Sequence, residues 1–180
     1  MKSLVGLAHQ THMLTKEDFT SADWNVLRDT QYLVGLGTLM AAASGLGTIR
    51  ETIAIARGII GNQSSSQPFI RDLSSQAEME AAQGSVKQRF GGPESTPTKE
   101  NVQRIALEKV RASMSILKAK ASPEESDAYR KLIYGVAEQV ANAASEGGFL
   151  GFGGTRVSAG EETFLGELRE TLQLEKVKKA

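Results

Sequence analysis

The chain has 180 residues, 21 Lys and Arg set against 21 Asp and Glu, and no cysteine. That length defaults to one domain with a substantial core, and formal neutrality gives no global pull toward nucleic acid or acidic membranes. The lack of cysteine excludes disulfides, thiolate zinc sites and cysteine nucleophiles, while assigning no compartment.

The opening MKSLVGLAHQTHM carries one Lys and only a brief apolar run, too short and polar for a secretory signal. No apolar run reaches the length of a membrane span, so a soluble cytoplasmic protein is the expectation. Residues 1–14 read as a loose lead-in or short docking segment. His9 and His12, the only two histidines, stand three apart, as a metal pair on a helical face would require. No third ligand is nearby, and a solvated pair is the expectation.

Thr15 or Thr20 is placed to cap the first helix, with Asp18 or Asp23 three residues beyond. Trp24, Leu27, Leu33, Leu36, Leu39 and Met40 carry that helix to about Ala43. Gly35 and Gly37 weaken it locally, which points to close packing there, and Trp24 reads as a core anchor. After Ser44-Gly-Leu-Gly47, Thr48 caps a second helix with Glu51 at the capping-box position. Ile53, Ile55, Ala56, Ile59 and Ile60 fill it, and Gly61-Asn62 ends it. A polar loop from Gln63 to Gln67 precedes a weaker third helix from Pro68 through Ile70, Leu73, Ala77 and Ala81 to Val86. Residues 89–97, RFGGPESTP, form the clearest internal linker.

From Thr98 to about Ala121 another helix turns Val102, Ile105, Ala106, Val110, Met114 and Leu117 inward. Arg104, Arg111 and Lys118 fall at heptad spacing, which would suit a row of phosphates. Glu108 interrupts the row and no aromatic interleaves, so a solvated face is the expectation and no nucleic-acid partner is predicted.

The remaining stretch is a helix, a glycine-rich turn and a second helix. Ser122, Pro123 and Glu125 give the first a capping box with proline at its first position. Tyr129, Leu132, Ile133, Val136, Val140, Ala143 and Ala144 form one apolar face, with small residues that admit a close neighbour. Ser158 and Glu161 open the last helix, whose apolar face is Phe164, Leu165, Leu168 and Leu172. Between them runs GGFLGFGG, residues 147–154. Such glycine density is costly to order and implies backbone shapes that other residues resist. One reading is a packed turn whose Phe and Leu side chains tuck beneath the bundle. Another is an exposed apolar tip, Gly148, Phe149, Leu150, Gly151, Phe152 and Gly153, that docks a partner or touches a membrane surface. A phosphate cradle would need Lys and Ser/Thr where Gly154 and Thr155 stand, and a preceding strand.

The two halves echo one another. A small-residue helix at 36–44, glycines and Thr48-x-x-Glu51 parallel a small-residue helix at 140–145, glycines and Ser158-x-x-Glu161. This pattern resembles the TerB-like, tellurite-resistance type of helical fold, and also an uncharacterised bacterial family carrying GGFLGFGG before a capped helix. The resemblance implies a compact all-α bundle of two related hairpins and a metal or small-molecule sensing role linked to stress. The acidic turns of TerB-like proteins are replaced here by Ala43-Ser-Gly-Leu-Gly47 and Ala144-Ser-Glu-Gly-Gly148. It leaves Glu146 and Glu161 as the metal candidates, with Glu51 the other acid the matching allows.

Catalytic motifs are absent. There is no Gly-x-Ser-x-Gly elbow, His-Glu-x-x-His, Rossmann fingerprint or Glu-x-x-His pair for a di-iron bundle. The sequence therefore predicts a single all-α domain of about six helices, without catalytic residues or cofactor. It would act through an unidentified protein partner at the 147–154 loop, and its oligomeric state is open.

Overall fold

In the computed structural model, residues 12–41, 49–91, 97–146 and 158–174 are described. Among them the chain is all-α, with seven helices and no strand. These are α1 (Ser21–Ala41), α2 (Ile49–Ile60), α3 (Pro68–Leu73), α4 (Gln76–Phe90), α5 (Lys99–Lys120), α6 (Pro123–Glu146) and α7 (Ala159–Thr171), with a short 3₁₀ turn at Lys16–Asp18 before them. None of the described helices is long and apolar enough to cross a membrane.

The two candidate caps at the start of the chain are both used. Asp18 Oδ2 accepts from the Thr15 amide at 2.8 Å, closing the 3₁₀ turn, while Thr20 Oγ1 accepts from the Asp23 amide at 3.1 Å and starts α1. Hydrogen bonds to Thr15 and His12 hold the Asp18 carboxyl below its ordinary range.

The centre of the bundle is α1. Every residue from Thr30 to Gly35 is buried, so this helix is enclosed on all sides by α2, α4, α5, α6 and α7. Its polar side chains turn inward on the helix itself, with Thr30 and Thr38 donating to the carbonyls of Val26 and Val34. Gly35 and Gly37 are packing glycines, as their weak helix propensity implied. A Cβ on Gly35 would stand 2.9 Å from Ile55 Cγ1 on α2, and one on Gly37 would stand 2.9 Å from the Phe164 ring on α7. Trp24 is a core residue whose ring packs at a tilt against Phe19, ring centroids 5.7 Å apart.

These contacts fix the helix directions. Thr30 meets Ser113 and the Gly37 carbonyl accepts from Gln103 Nε2, so α5 runs antiparallel to α1. Gly35 lies against Ile55, Gly58 against the backbone of Val136, and Tyr129 reaches Leu27. Lys120 Nζ donates to the Asp18 carbonyl, so α6 starts beside the start of α1 and runs parallel to it. Gln63 donates to the Ser74 carbonyl and Gln31 to that of Leu73, so α2 leads back along α1 and is antiparallel to it. Gly160 and Phe164 lie against Ala41 and Gly37, so α7 also runs antiparallel to α1.

Three features differ from the sequence expectation. The third helix is two, because Ser75 adopts extended dihedrals and its Oγ caps α4 by accepting from the Glu78 amide at 3.3 Å. The bundle therefore has seven helices among the described residues, and α4 continues through Phe90 into what read as linker. Ile53, expected in the core, is 42% exposed. Leu14, expected in a loose lead-in, is buried. Its carbonyl accepts from the Phe69 amide at 3.0 Å, and its own amide donates to Glu125 Oε1 at 2.6 Å.

The end of α7 is a Schellman cap. Leu174 N–H donates to Arg169 O and Gln173 N–H to Glu170 O, with Gln173 itself left-handed at φ 56°. That conformation costs a residue with a Cβ about 1 kcal/mol relative to glycine. Gln173→Gly is therefore expected to raise the melting temperature by about 2–4 °C, read by calorimetry.

Candidate functional site

The helix directions place one set of termini together. The C-termini of α1 and α6 and the N-termini of α2, α5 and α7 all lie at the same end of the bundle. Leu36, Phe90 and Gly91 line one pocket, which brings the C-terminus of α4 to the same end, so the described helix ends flanking the connections 42–48, 92–96 and 147–157 lie together there. Those connections contain the Ser44-Gly-Leu-Gly47 and GGFLGFGG segments. Gly148, Phe149, Leu150, Gly151, Phe152 and Gly153, the predicted docking residues, lie outside the described residues, as does Thr48.

What is described is the frame around them, and it is tightly built. Ser158 and Glu161 form the predicted capping box. The Ser158 amide donates to Glu161 Oε2 at 2.8 Å, and the Glu161 amide donates to Ser158 Oγ at 3.3 Å. Ser158 Oγ also donates to the Ala41 carbonyl at 3.4 Å, tying the start of α7 to the end of α1. Gly160 sits so close to this junction that a Cβ would stand 2.8 Å from both the Ala41 oxygen and Lys99 Nζ. Here glycine is required by the approach of three helix ends, α1, α5 and α7.

Glu161 is 3% exposed, and its Oε1 has no hydrogen-bond partner. Glu146 is the last residue of α6, and its side chain and that of Glu51 lie outside the described residues. The described residues contain no group of three or more His, Asp or Glu placed to hold a metal ion. His12 bonds Asp18 at 2.9 Å, an exposed local pair, and His9 lies outside the described residues. The basic row on α5 is divided. Arg104 pairs with Glu108 at 2.6 Å and bonds Asn101 at 2.9 Å on the solvated face, whereas Lys118 turns toward the opposite end of the bundle.

One exposed apolar residue among those described marks this face: Ile53, in the first half of α2 near the shared end. Among the described residues the chain is thus an all-α bundle with several helix ends gathered at one pole. Comparison with protein-family models, curated proteins and solved structures found no match.

Proposed function

We propose that the protein is a non-catalytic interaction module that docks a protein partner through its glycine-rich pole, with Gly148–Gly153 as the contact loop. What supports this reading is that the start of α7, which follows the loop in sequence, is locked to the end of α1 by capping and close glycine packing. Binding residues are commonly carried on connecting segments held by a rigid scaffold. An exposed Ile53 beside the pole extends the apolar surface available to a partner.

A photo-crosslinking residue in place of Leu150 tests it. The expected result is one discrete adduct in cells, lost in the Phe149→Ser/Phe152→Ser variant. No adduct, or an adduct unchanged in the variant, would overturn the proposal.

The rival reading is a TerB-like metal or small-molecule sensor, resting on Glu146 and Glu161. Glu161 has one oxygen committed to the Ser158 amide, so it would offer a cation a single free oxygen where a hard cation wants six or more in all. Calcium or magnesium is therefore expected to leave the melting midpoint unchanged, since a native-state binder must raise it. A rise that Glu161→Gln abolishes would favour the sensor instead.

A further inference from the structure

The pole opposite the glycine-rich one carries a cleft of about 520 Å³ between the end of α5, the start of α6 and the end of α7. That volume lies in the range of small-molecule sites. Lys118 and Arg130 line it together with the hydroxyl residues Ser115 and Ser126, and no acidic residue lines it. Among the described residues Lys118 has no hydrogen-bond or ion-pair partner. Arg130 gives one Nη1 bond to the exposed Asp127 at 2.6 Å, and its Nε is buried without a partner. The cleft is therefore cationic, with hydrogen-bonding capacity unspent. Met114 and Ala121 add an apolar side to it.

A comparable cleft of about 550 Å³ between α1 and α4 shows the contrast. Its cations are already answered, Lys16 by Glu78, and Arg28 by Asp29 and Glu78. The cleft at α5 and α6 has no such internal partner for Lys118.

Gln173, whose left-handed conformation belongs to the α7 cap, also lines the cleft.

We propose that this cleft binds a small organic anion, a carboxylate or phosphate monoester with a short apolar body. Lys118 and Arg130 hold the charged group, Ser115, Ser126 and the Gln173 amide add hydrogen bonds, and Met114 and Ala121 cover the apolar part. Charge-assisted bonds to an anion in a partly enclosed site are the stronger class of hydrogen bond, which makes the two cations the dominant contributors.

The test is a titration of the full-length, ¹⁵N-labelled chain with butyl phosphate and, separately, butyrate at constant ionic strength. The expected result is saturable shifts at the amides of Ser115, Lys118, Ser126, Arg130 and Gln173. The tighter of the two compounds identifies the charged group. Lys118→Gln, at an exposed position that leaves the fold intact, should weaken binding about tenfold, and Lys118→Gln/Arg130→Gln should weaken it further. Gln173→Gly should bind more weakly while melting higher, a combination that a purely structural role for Gln173 would not produce. Absence of saturable shifts with both compounds would overturn the proposal. So would a Lys118→Gln chain that titrates like wild type.

Discussion

Replacing Tyr129 by Ala is expected to destabilise the protein by about 4–5 kcal/mol, enough to unfold much of the population at moderate temperature. Tyr129 is fully buried where three helices meet. Its hydroxyl donates to the Leu27 carbonyl at 3.0 Å and lies 3.1 Å from Ser113 Oγ, which is itself 3.0 Å from Thr30 Oγ1. One side chain thus joins α1, α5 and α6 through a buried polar chain, and truncation leaves both a cavity and unpaired groups. Tyr129→Phe keeps the packing and loses only the hydroxyl, so about 1–2 kcal/mol is expected from denaturant melts.

The same pair has a pH signature. Burial raises the Tyr129 pKa above its ordinary value of 10.0, against the opposing hydrogen bonds from Ser113 and Thr30. The folded state therefore holds the proton while the unfolded state releases it near the ordinary value. Stability from this group is complete below about pH 10 and is lost as pH rises beyond it. Wild type should lose stability steeply in that range, and Tyr129→Phe should show a shallower slope.

Glu125→Ala is the second large effect, about 3 kcal/mol. Glu125 is 5% exposed, and its two oxygens serve different parts of the chain. Oε2 accepts from the Ser122 amide at 2.8 Å to cap α6, and Oε1 accepts from the Leu14 amide at 2.6 Å. Removing the carboxylate orphans two amide donors at about 1–3 kcal/mol each, part of which water recovers. Hydrogen exchange should show early loss of protection at Leu14 and Phe69, because the backbone hydrogen bond between them depends on the same anchor. Equal loss across the whole bundle, with no selectivity for this segment, would contradict the assignment.

Much of the fold was legible because its signals are local. The caps at Ser122 and Ser158 are short-range patterns, and each forms the predicted hydrogen bond in the structure. The apolar stripe of α5 reads correctly for the same reason, with Val102, Ala106, Val110 and Leu117 all fully buried. The split of the third helix was also written locally. Ser75-x-x-Glu78 has capping spacing, but weak apolar periodicity through Ala77 and Ala81 masked it.

Other features depend on what one helix presents to another. That α1 is the enclosed centre follows from partners on five helices, which periodicity within one segment does not reveal. Glu125 looked like a cap alone, since its bond to Leu14 spans 111 positions. Lys118 and Arg130 are brought to one cleft only by the turn at Ala121-Ser122-Pro123 and the return of α7. In sequence Lys118 belonged to a row with Arg104 and Arg111. Glycine in a helix signals close packing, yet the identity of the neighbour, Ile55 for Gly35 and Phe164 for Gly37, is a tertiary fact.

The central claim is that the phenylalanines of the 147–154 loop serve a partner rather than the core. Its most direct test is the melting temperature of the Phe149→Ser/Phe152→Ser variant against wild type. Two side chains outside the core should leave the midpoint within about 3 °C of wild type. A fall of more than about 10 °C, the scale expected for removing two buried phenylalanines, would place them in the core and contradict the account.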